Sequence, residues 1–338
     1  MDHQRANWHP LTNQRIAPAS EIMKKLSPNE AIANVSIENN GDVLRIDWEV
    51  NKSSSILELN KLQQRTSTNS RYGLPNKILW SNFVEFPKSS YLSPSPHKIL
   101  KDLCNFGVHL VTEMPETVID TERYIRSYLG PPRETFYGGM WDTAPRKENI
   151  NDTAYTYDSL DPHTDTCYLI DSPGLQCFNC VAQDSGEGGK TKLVDSEVVV
   201  KKLRKSFQNT FDFFRQTNLV FHHTEDKYHA RVCTPVINLE PDENHLKQFR
   251  YNEYDLAPLN YLDRKMQEEF YLHNAILRDV IEDHVFTIKL NIGEMLVVDN
   301  HRVMHGRTAF KGYRNLIGCY VGADDWIMRA RKIFEKET

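Results

Sequence analysis

Long apolar runs are missing from this chain of 338 residues, and with them any segment near the roughly 20 residues that a membrane-crossing helix requires. Cysteine is sparse. The six cysteines, at 104, 167, 177, 180, 233 and 319, show no framework spacing, which argues against a disulfide-stapled scaffold and for a reducing compartment. Positive charge is not in excess either. A net charge of −5 and a pI near 6.2 predict no general pull toward nucleic acid or an anionic membrane. The opening Met1-Asp2-His3-Gln4-Arg5 lacks the apolar stretch of a secretory leader, and Asp2 is out of place in a mitochondrial one. The expected location is cytoplasmic, with a mitochondrial one as the alternative if a leader lies outside this chain.

Hydrophobic residues at 39% and charged residues at 26% place the chain among globular proteins. Leu44, Ile46, Trp48 and Val50 alternate with Arg45, Asp47 and Glu49, the period-2 pattern of a strand with one buried face. A polar stretch over 51–72 follows. Ile99, Leu100, Leu103 and Phe106 predict a helix stopped at Gly107, with a strand over 108–111. Asp120 is placed to cap a second helix that closes at Gly130-Pro131-Pro132. The Pro- and Ser-rich run at 86–96 suggests a boundary near residue 85, between a small N-terminal β-rich domain (1–85) and a larger domain (86–338). Beyond residue 160 short strands dominate, as at 192–195, 285–291 and 294–299, the last two joined by a turn at Ile292-Gly293. Helical patterns interrupt them at about 197–215, 263–282 and 324–334. The expected fold is mainly β, a sandwich or barrel with α-helical buttresses.

His163 and Asp165 stand two apart on an extended segment and so point the same way. A second histidine near the apolar strand ending at Asp299 would complete a two-histidine, one-carboxylate set, which leaves positions open for oxygen chemistry on iron(II). His301 and His305 share strand parity, so spacing does not choose between them, and His222, His223 and His229 form a competing cluster. Cys177 and Cys180 make a C-x-x-C, but within a strand pattern that sends them to opposite faces, which favours core packing. Tyr137 and Trp141 are four apart and could share one side of an element, as a core pair or as a ligand wall.

Several stretches resemble the γ-butyrobetaine hydroxylase and trimethyllysine dioxygenase family of Fe(II)/2-oxoglutarate oxygenases. They are Asp152-Thr-Ala-Tyr-Thr156, His163-Thr-Asp165-Thr, Gly188-Gly189-x-Thr191-x-Leu-Val-Asp195, Asp299-Asn-x-Arg-Val-x-His305-Gly-Arg307 and Gly312-Tyr-Arg314-x-Leu-x-Gly-Cys-Tyr320. The resemblance covers roughly 75–335 and implies a double-stranded β-helix (jelly-roll) core. It implies His163, Asp165 and His305 as iron ligands, choosing His305 over His301, and Asp165 speaks against the halogenating relatives, which lose that carboxylate. It assigns Arg314 and Thr191 to 2-oxoglutarate. Tyr137, Trp141, Tyr155 and Tyr320 match an aromatic cage for a trimethylammonium group, and Asp152 and Asn252 match the partners of the substrate's other end. The implied reaction is 3-hydroxylation of N6-trimethyllysine, the first step of carnitine biosynthesis, with dioxygen consumed, succinate and carbon dioxide formed, and ascorbate as reductant. γ-Butyrobetaine is the alternative substrate, and a non-catalytic methyl-lysine reader the alternative of another class. The expected partner is a small-molecule substrate, with no nucleic acid or membrane; a homodimer is one expected assembly.

Relatives carry an N-terminal zinc held by three cysteines and a histidine. This chain has no cysteine before Cys104, and a structural zinc needs its whole tetrahedral set, so the site reads as lost. Protein stripped of loosely held ions is expected to retain no zinc in residues 1–85. A stoichiometric amount surviving mild chelation, read by elemental analysis, would contradict that.

Overall fold

Strand pairing organises both parts of the chain. The computed structural model describes residues 8–12, 14–16, 18–24, 31–50, 52–59, 62, 71, 73–143, 157–184 and 186–334. They fall into two units, Met1–Tyr72 and Gly73–Thr338.

The first unit contains a helix, Ala19–Lys24 (α1), and three strands, Ile32–Glu38 (β1), Val43–Trp48 (β2) and Ser54–Glu58 (β3), paired antiparallel in that order. Leu44, Ile46 and Trp48 are half-buried, but so are Arg45 and Asp47 between them, so burial does not alternate along the strand as expected; Trp48 Nε1 donates to Ser55 Oγ at 2.8 Å. The strand stops at Trp48, so Val50, expected on the buried face, is exposed in the following turn.

In the second unit the order begins with Lys88–Ser90 (β4), Pro96–Phe106 (α2), Val108–Thr112 (β5), Val118–Tyr128 (α3), Trp141–Asp142 (β6) and Leu160–His163 (β7). Next come Leu175–Gln183 (β8), Thr191–Asp195 (β9), Ser196–Ser206 (α4), Gln208–Gln216 (α5), Leu219–Thr224 (β10), His229–Thr234 (β11), Ile237–Leu239 (β12) and Leu246–Phe249 (β13). Arg264–Glu282 (α6), Phe286–Ile288 (β14), Glu294–Asp299 (β15), Val303–Arg307 (β16), Arg314–Val321 (β17) and Ala323–Phe334 (α7) complete it.

Six strands form one sheet, β4-β5-β15-β8-β17-β6, and four form a second, β14-β9-β16-β7. Every pairing is antiparallel except β4 with β5. Leu110, Cys180, Leu296, Val298 and Leu316 from the larger sheet share a core with Leu193 and Val303 from the smaller, so the sheets face each other as a sandwich. The outer face of the larger sheet packs on α2, α3 and α7 through Cys177, Val297 and Cys319. Behind the smaller sheet, Val194 and Met304 meet the apolar faces of α4, α5 and α6. This is a jelly roll with helical buttresses on both sides. Among the described residues no helix is long and apolar enough to cross a membrane.

Cys177 and Cys180 lie on opposite faces of β8, one in the helical layer and the other between the sheets, both as free thiols. Gly107 stops α2 in the left-handed conformation, φ 73°, which glycine adopts without steric cost. The two units divide at Tyr72/Gly73, and in the second the rings of Trp80, Phe83 and Phe86 pack on one another and on Phe106 and Phe286. Two expectations need correcting. Thr117, not Asp120, caps α3, its Oγ1 accepting from Asp120 N at 3.1 Å; Asp120 instead sits in the first turn. The helix expected over 197–215 breaks at Phe207 into α4 and α5. The expected turn at Ile292-Gly293 is present, and since β14 pairs with β9 and β15 with β5 and β8, it carries the chain from one sheet to the other.

One ion pair ties these layers together. Arg302, 2% exposed, reaches Asp195 through Nε to Oδ1 at 2.9 Å and Nη2 to Oδ2 at 2.8 Å, and donates to the carbonyls of Asn105 and Ile78 at 2.7 and 2.8 Å. Burial works against the guanidinium, but the Asp195 carboxylate outweighs it and raises its pKa. Removing one member of such a pair leaves an uncompensated charge in the core. Arg302→Met is therefore expected to lower the unfolding free energy by about 3–5 kcal/mol in urea denaturation. A loss below ~1 kcal/mol would mean that packing alone holds these layers.

Candidate metal centre

Antiparallel pairing of β16 with β7 sets His305 opposite His163, and their rings lie 4.7 Å apart between centroids. Asp165 follows just past the end of β7. Its Oδ1 lies 3.2 Å from His163 Nε2 and 3.4 Å from His305 Nε2. These three side chains can bring their ligand atoms within 4.8 Å of one another, and no other such group of His, Cys, Asp or Glu occurs among the described residues.

The donor set fits a divalent transition metal. His163 Nδ1 is 2.7 Å from the Asp161 carbonyl; a carbonyl only accepts, so the proton is on Nδ1 and the Nε2 lone pair faces the cluster. Burial opposes charge on all three groups. For Asp165 it is more than offset by the imidazoles of His305 and His163, which hold the carboxyl well below its usual range. For His305 burial prevails and the pKa is lowered, whereas the bonds to Asp165 overcome it at His163 and raise that pKa. An anionic Asp165 between two imidazoles is what a cation requires, and binding one releases any proton the imidazoles carry on Nε2.

His301 does not take part. It lies in the turn between β15 and β16, so the parity argument never applied to it, and its Nε2 is 3.1 Å from the Ser172 carbonyl. The other histidine cluster falls on the β10–β11 hairpin, where His223 stacks on Phe136 and Tyr168 at 5.1 and 4.9 Å.

The three candidate ligands line a cavity of about 160 Å³ together with Tyr137, Trp141, Thr191, Asn252, Arg314 and Tyr320. Trp141 and Tyr320 lie 6.0 Å apart between centroids. Trp141 can lie against β17 because residue 318 is glycine: a Cβ there would stand 2.3 Å from the indole ring. The four-residue spacing from Tyr137 to Trp141 reflects neither a helix nor a continuous strand, since a turn at Thr135–Gly138 precedes the two-residue β6. Arg314 opens β17; burial pushes its pKa down, and its Nε has no hydrogen-bond partner among the described residues. A half-buried guanidinium whose Nε lacks a partner can take an anion. Asp152 and Tyr155 lie outside the described residues.

Three contributors were not anticipated from sequence. Gln176 and Phe178, on one face of β8, line the cavity, and Asn300 bonds to the backbone of Asp165. Gln176 shares β8 with two other amides, Asn179 and Gln183, so the sequence offered no distinct signal for it.

A jelly roll that presents two histidines and one carboxylate to a buried cavity has the make-up of a mononuclear non-haem iron oxygenase. The family model "Taurine catabolism dioxygenase TauD, TfdA family" matches residues 75–320, and the chain belongs to that family. It is 31% identical to the mitochondrial trimethyllysine dioxygenase of Rattus norvegicus over 292 residues, 85% of this chain and 68% of that protein. Against the mitochondrial trimethyllysine dioxygenase of Homo sapiens it is 34% identical over 240 residues, 69% of this chain and 56% of that one. The crystal structure of asparagine oxygenase with Fe(II), 2S,3S-3-hydroxyasparagine and succinate superposes with a TM-score of 0.51 at 15% identity, over 64% of this chain and 74% of its own, a likeness of fold.

Alanine at His163, Asp165 or His305 is expected to lower the affinity of the purified protein for Co(II) at least tenfold, while His301→Ala leaves it unchanged. Calorimetric titration reads this directly, and loss in the His301 variant with normal binding in the His305 variant would reverse the assignment.

Proposed function

We propose that this dioxygenase hydroxylates N6-trimethyllysine at carbon 3, consuming dioxygen and 2-oxoglutarate and forming succinate and carbon dioxide. The observation that carries the reading is one cavity walled by the two-histidine, one-aspartate cluster, by Arg314 and by the rings of Tyr137, Trp141 and Tyr320. The trimethyllysine dioxygenases that the chain resembles support the choice of substrate.

Iron(II) would be held by His163 Nε2, Asp165 Oδ1 and His305 Nε2; when bound it supplies the activation of dioxygen that couples decarboxylation of 2-oxoglutarate to hydroxylation. The residues of the chain do the rest. Arg314 takes the far carboxylate of 2-oxoglutarate, for which a planar guanidinium offers two parallel charge-assisted bonds, and the Thr191 hydroxyl supports it. A trimethylammonium group has no N–H to donate, so aromatic faces hold it, at about 0.5–2 kcal/mol each. Tyr137, Trp141 and Tyr320 provide those faces, with Tyr155 as a further wall. Asn252 and Asp152 serve the substrate's carboxylate and ammonium. No side chain acts as acid or base; the walls of the cavity orient the carbon. Ascorbate is the expected reductant, and the mitochondrial relatives favour a mitochondrial location over a cytoplasmic one.

The test is incubation of iron-loaded protein with trimethyllysine or γ-butyrobetaine and product identification by mass. One oxygen atom added to trimethyllysine, matched by succinate, is expected; turnover of γ-butyrobetaine alone would overturn the substrate. Arg314→Ala is expected to raise the 2-oxoglutarate requirement about tenfold or more, because a hydrogen bond to a charged group contributes roughly 1.5–3 kcal/mol. An unchanged requirement would mean another cation binds that carboxylate.

A further inference from the structure

Asp165 is held at every polar atom but one. Its backbone N–H donates to Asn300 Oδ1 at 2.8 Å, and its carbonyl accepts from Asn300 Nδ2 at 3.2 Å and from Thr166 Oγ1 at 2.8 Å. In the carboxylate, Oδ2 accepts from the Tyr320 hydroxyl at 2.7 Å and from the Gln176 side-chain amide. Only Oδ1 remains, and it is the atom turned toward the two Nε2 atoms.

The two Oδ2 donors arrive together because of register. Tyr320 on β17 and Gln176 on β8 are directly opposite in the ladder, so their side chains leave the same face as neighbours. Asp165 comes from the end of β7, in the other sheet. The bond therefore crosses the sandwich and joins the sheet carrying both histidines to the sheet carrying both donors. Gln176 is 3% exposed, and its Oε1 has no partner among the described residues. A buried amide is costly to leave half-satisfied, and its single side-chain bond goes to the candidate metal ligand.

We propose that Gln176 and Tyr320 are positioning residues that present Asp165 as a one-oxygen ligand. A carboxylate free to rotate can give a metal both oxygens. Withholding Oδ2 keeps a coordination position available to 2-oxoglutarate, which needs two adjacent ones to chelate. Tyr320 thus has two parts: its ring faces the cavity beside Trp141, and its hydroxyl belongs to the metal ligand. The inference rests on the metal and 2-oxoglutarate reading of the site, not on the identity of the oxidised substrate.

Tyr320→Phe separates the two parts, because the aromatic face stays and only the hydroxyl goes. Gln176→Met keeps volume and removes the other donor. The experiment is calorimetric titration of metal-free protein with Co(II), then of the Co(II)-loaded protein with 2-oxoglutarate, for both single variants and the double variant, alongside thermal melts. The double variant is expected to bind Co(II) within threefold of the unsubstituted protein but 2-oxoglutarate at least tenfold more weakly, with smaller losses in the singles and melting temperatures nearly unchanged. Two results would overturn the proposal: 2-oxoglutarate affinity within twofold in the double variant, or a parallel fall in metal affinity, 2-oxoglutarate affinity and melting temperature, the mark of a merely structural role. Failure of the unsubstituted protein to bind Co(II) or 2-oxoglutarate would remove the reading beneath it, a result distinct from either.

Discussion

The guanidinium of Arg302 and the carboxylate of Asp195 meet where water does not reach, and β16 is laid down on its neighbours from that point. Asp195 ends β9 and Arg302 immediately precedes β16, so the pair fixes Val303 opposite Asp195, His305 opposite Leu193 and Arg307 opposite Thr191. The other edge of β16 then brings His305 beside His163. A slip of one residue would turn His305 from the cavity toward the helical layer, because side chains alternate between the faces of a strand. Asp195 also caps α4 through Glu197 N at 3.1 Å, which links the helical buttress to the same register.

From that geometry follows a site whose electrostatics are incomplete without ligands. An anionic Asp165 lies between two imidazoles, and Arg314 stands half-buried in the same cavity wall. Desolvated charges of this kind are expensive unless paired. A divalent cation beside the first and a dicarboxylate beside the second would satisfy both. In the proposed function the aromatic walls do the opposite work, offering faces to a cation that cannot donate a hydrogen bond. Tyr320 belongs to both regions, since its ring approaches Trp141 and its hydroxyl holds Asp165.

The helices α2, α6 and α7 were legible because their apolar residues recur on one face, and α2 because Gly107 stops it. Strands β5, β9 and β15 were legible from short apolar runs bounded by polar ones. The errors came where local chemistry was ambiguous. Thr117 and Asp120 are both good caps, and only the backbone path decides between them.

By itself the sequence determined the candidate ligand types. His163 and Asp165 are two apart in the chain, so an extended backbone turns them the same way before any tertiary contact exists. The motif around His305 supplied the third candidate through resemblance. Resemblance chose His305 over His301, and the tertiary structure supplies the physical reason in where β16 begins: His301 lies in the preceding turn and reaches Ser172, while His305 lies in the ladder opposite His163. Only the tertiary structure brought in Gln176, Asn300 and the hydroxyl of Tyr320. Their partner, Asp165, lies in a different part of the chain, and sequence spacing carries no information about contacts made by strand register across two facing sheets.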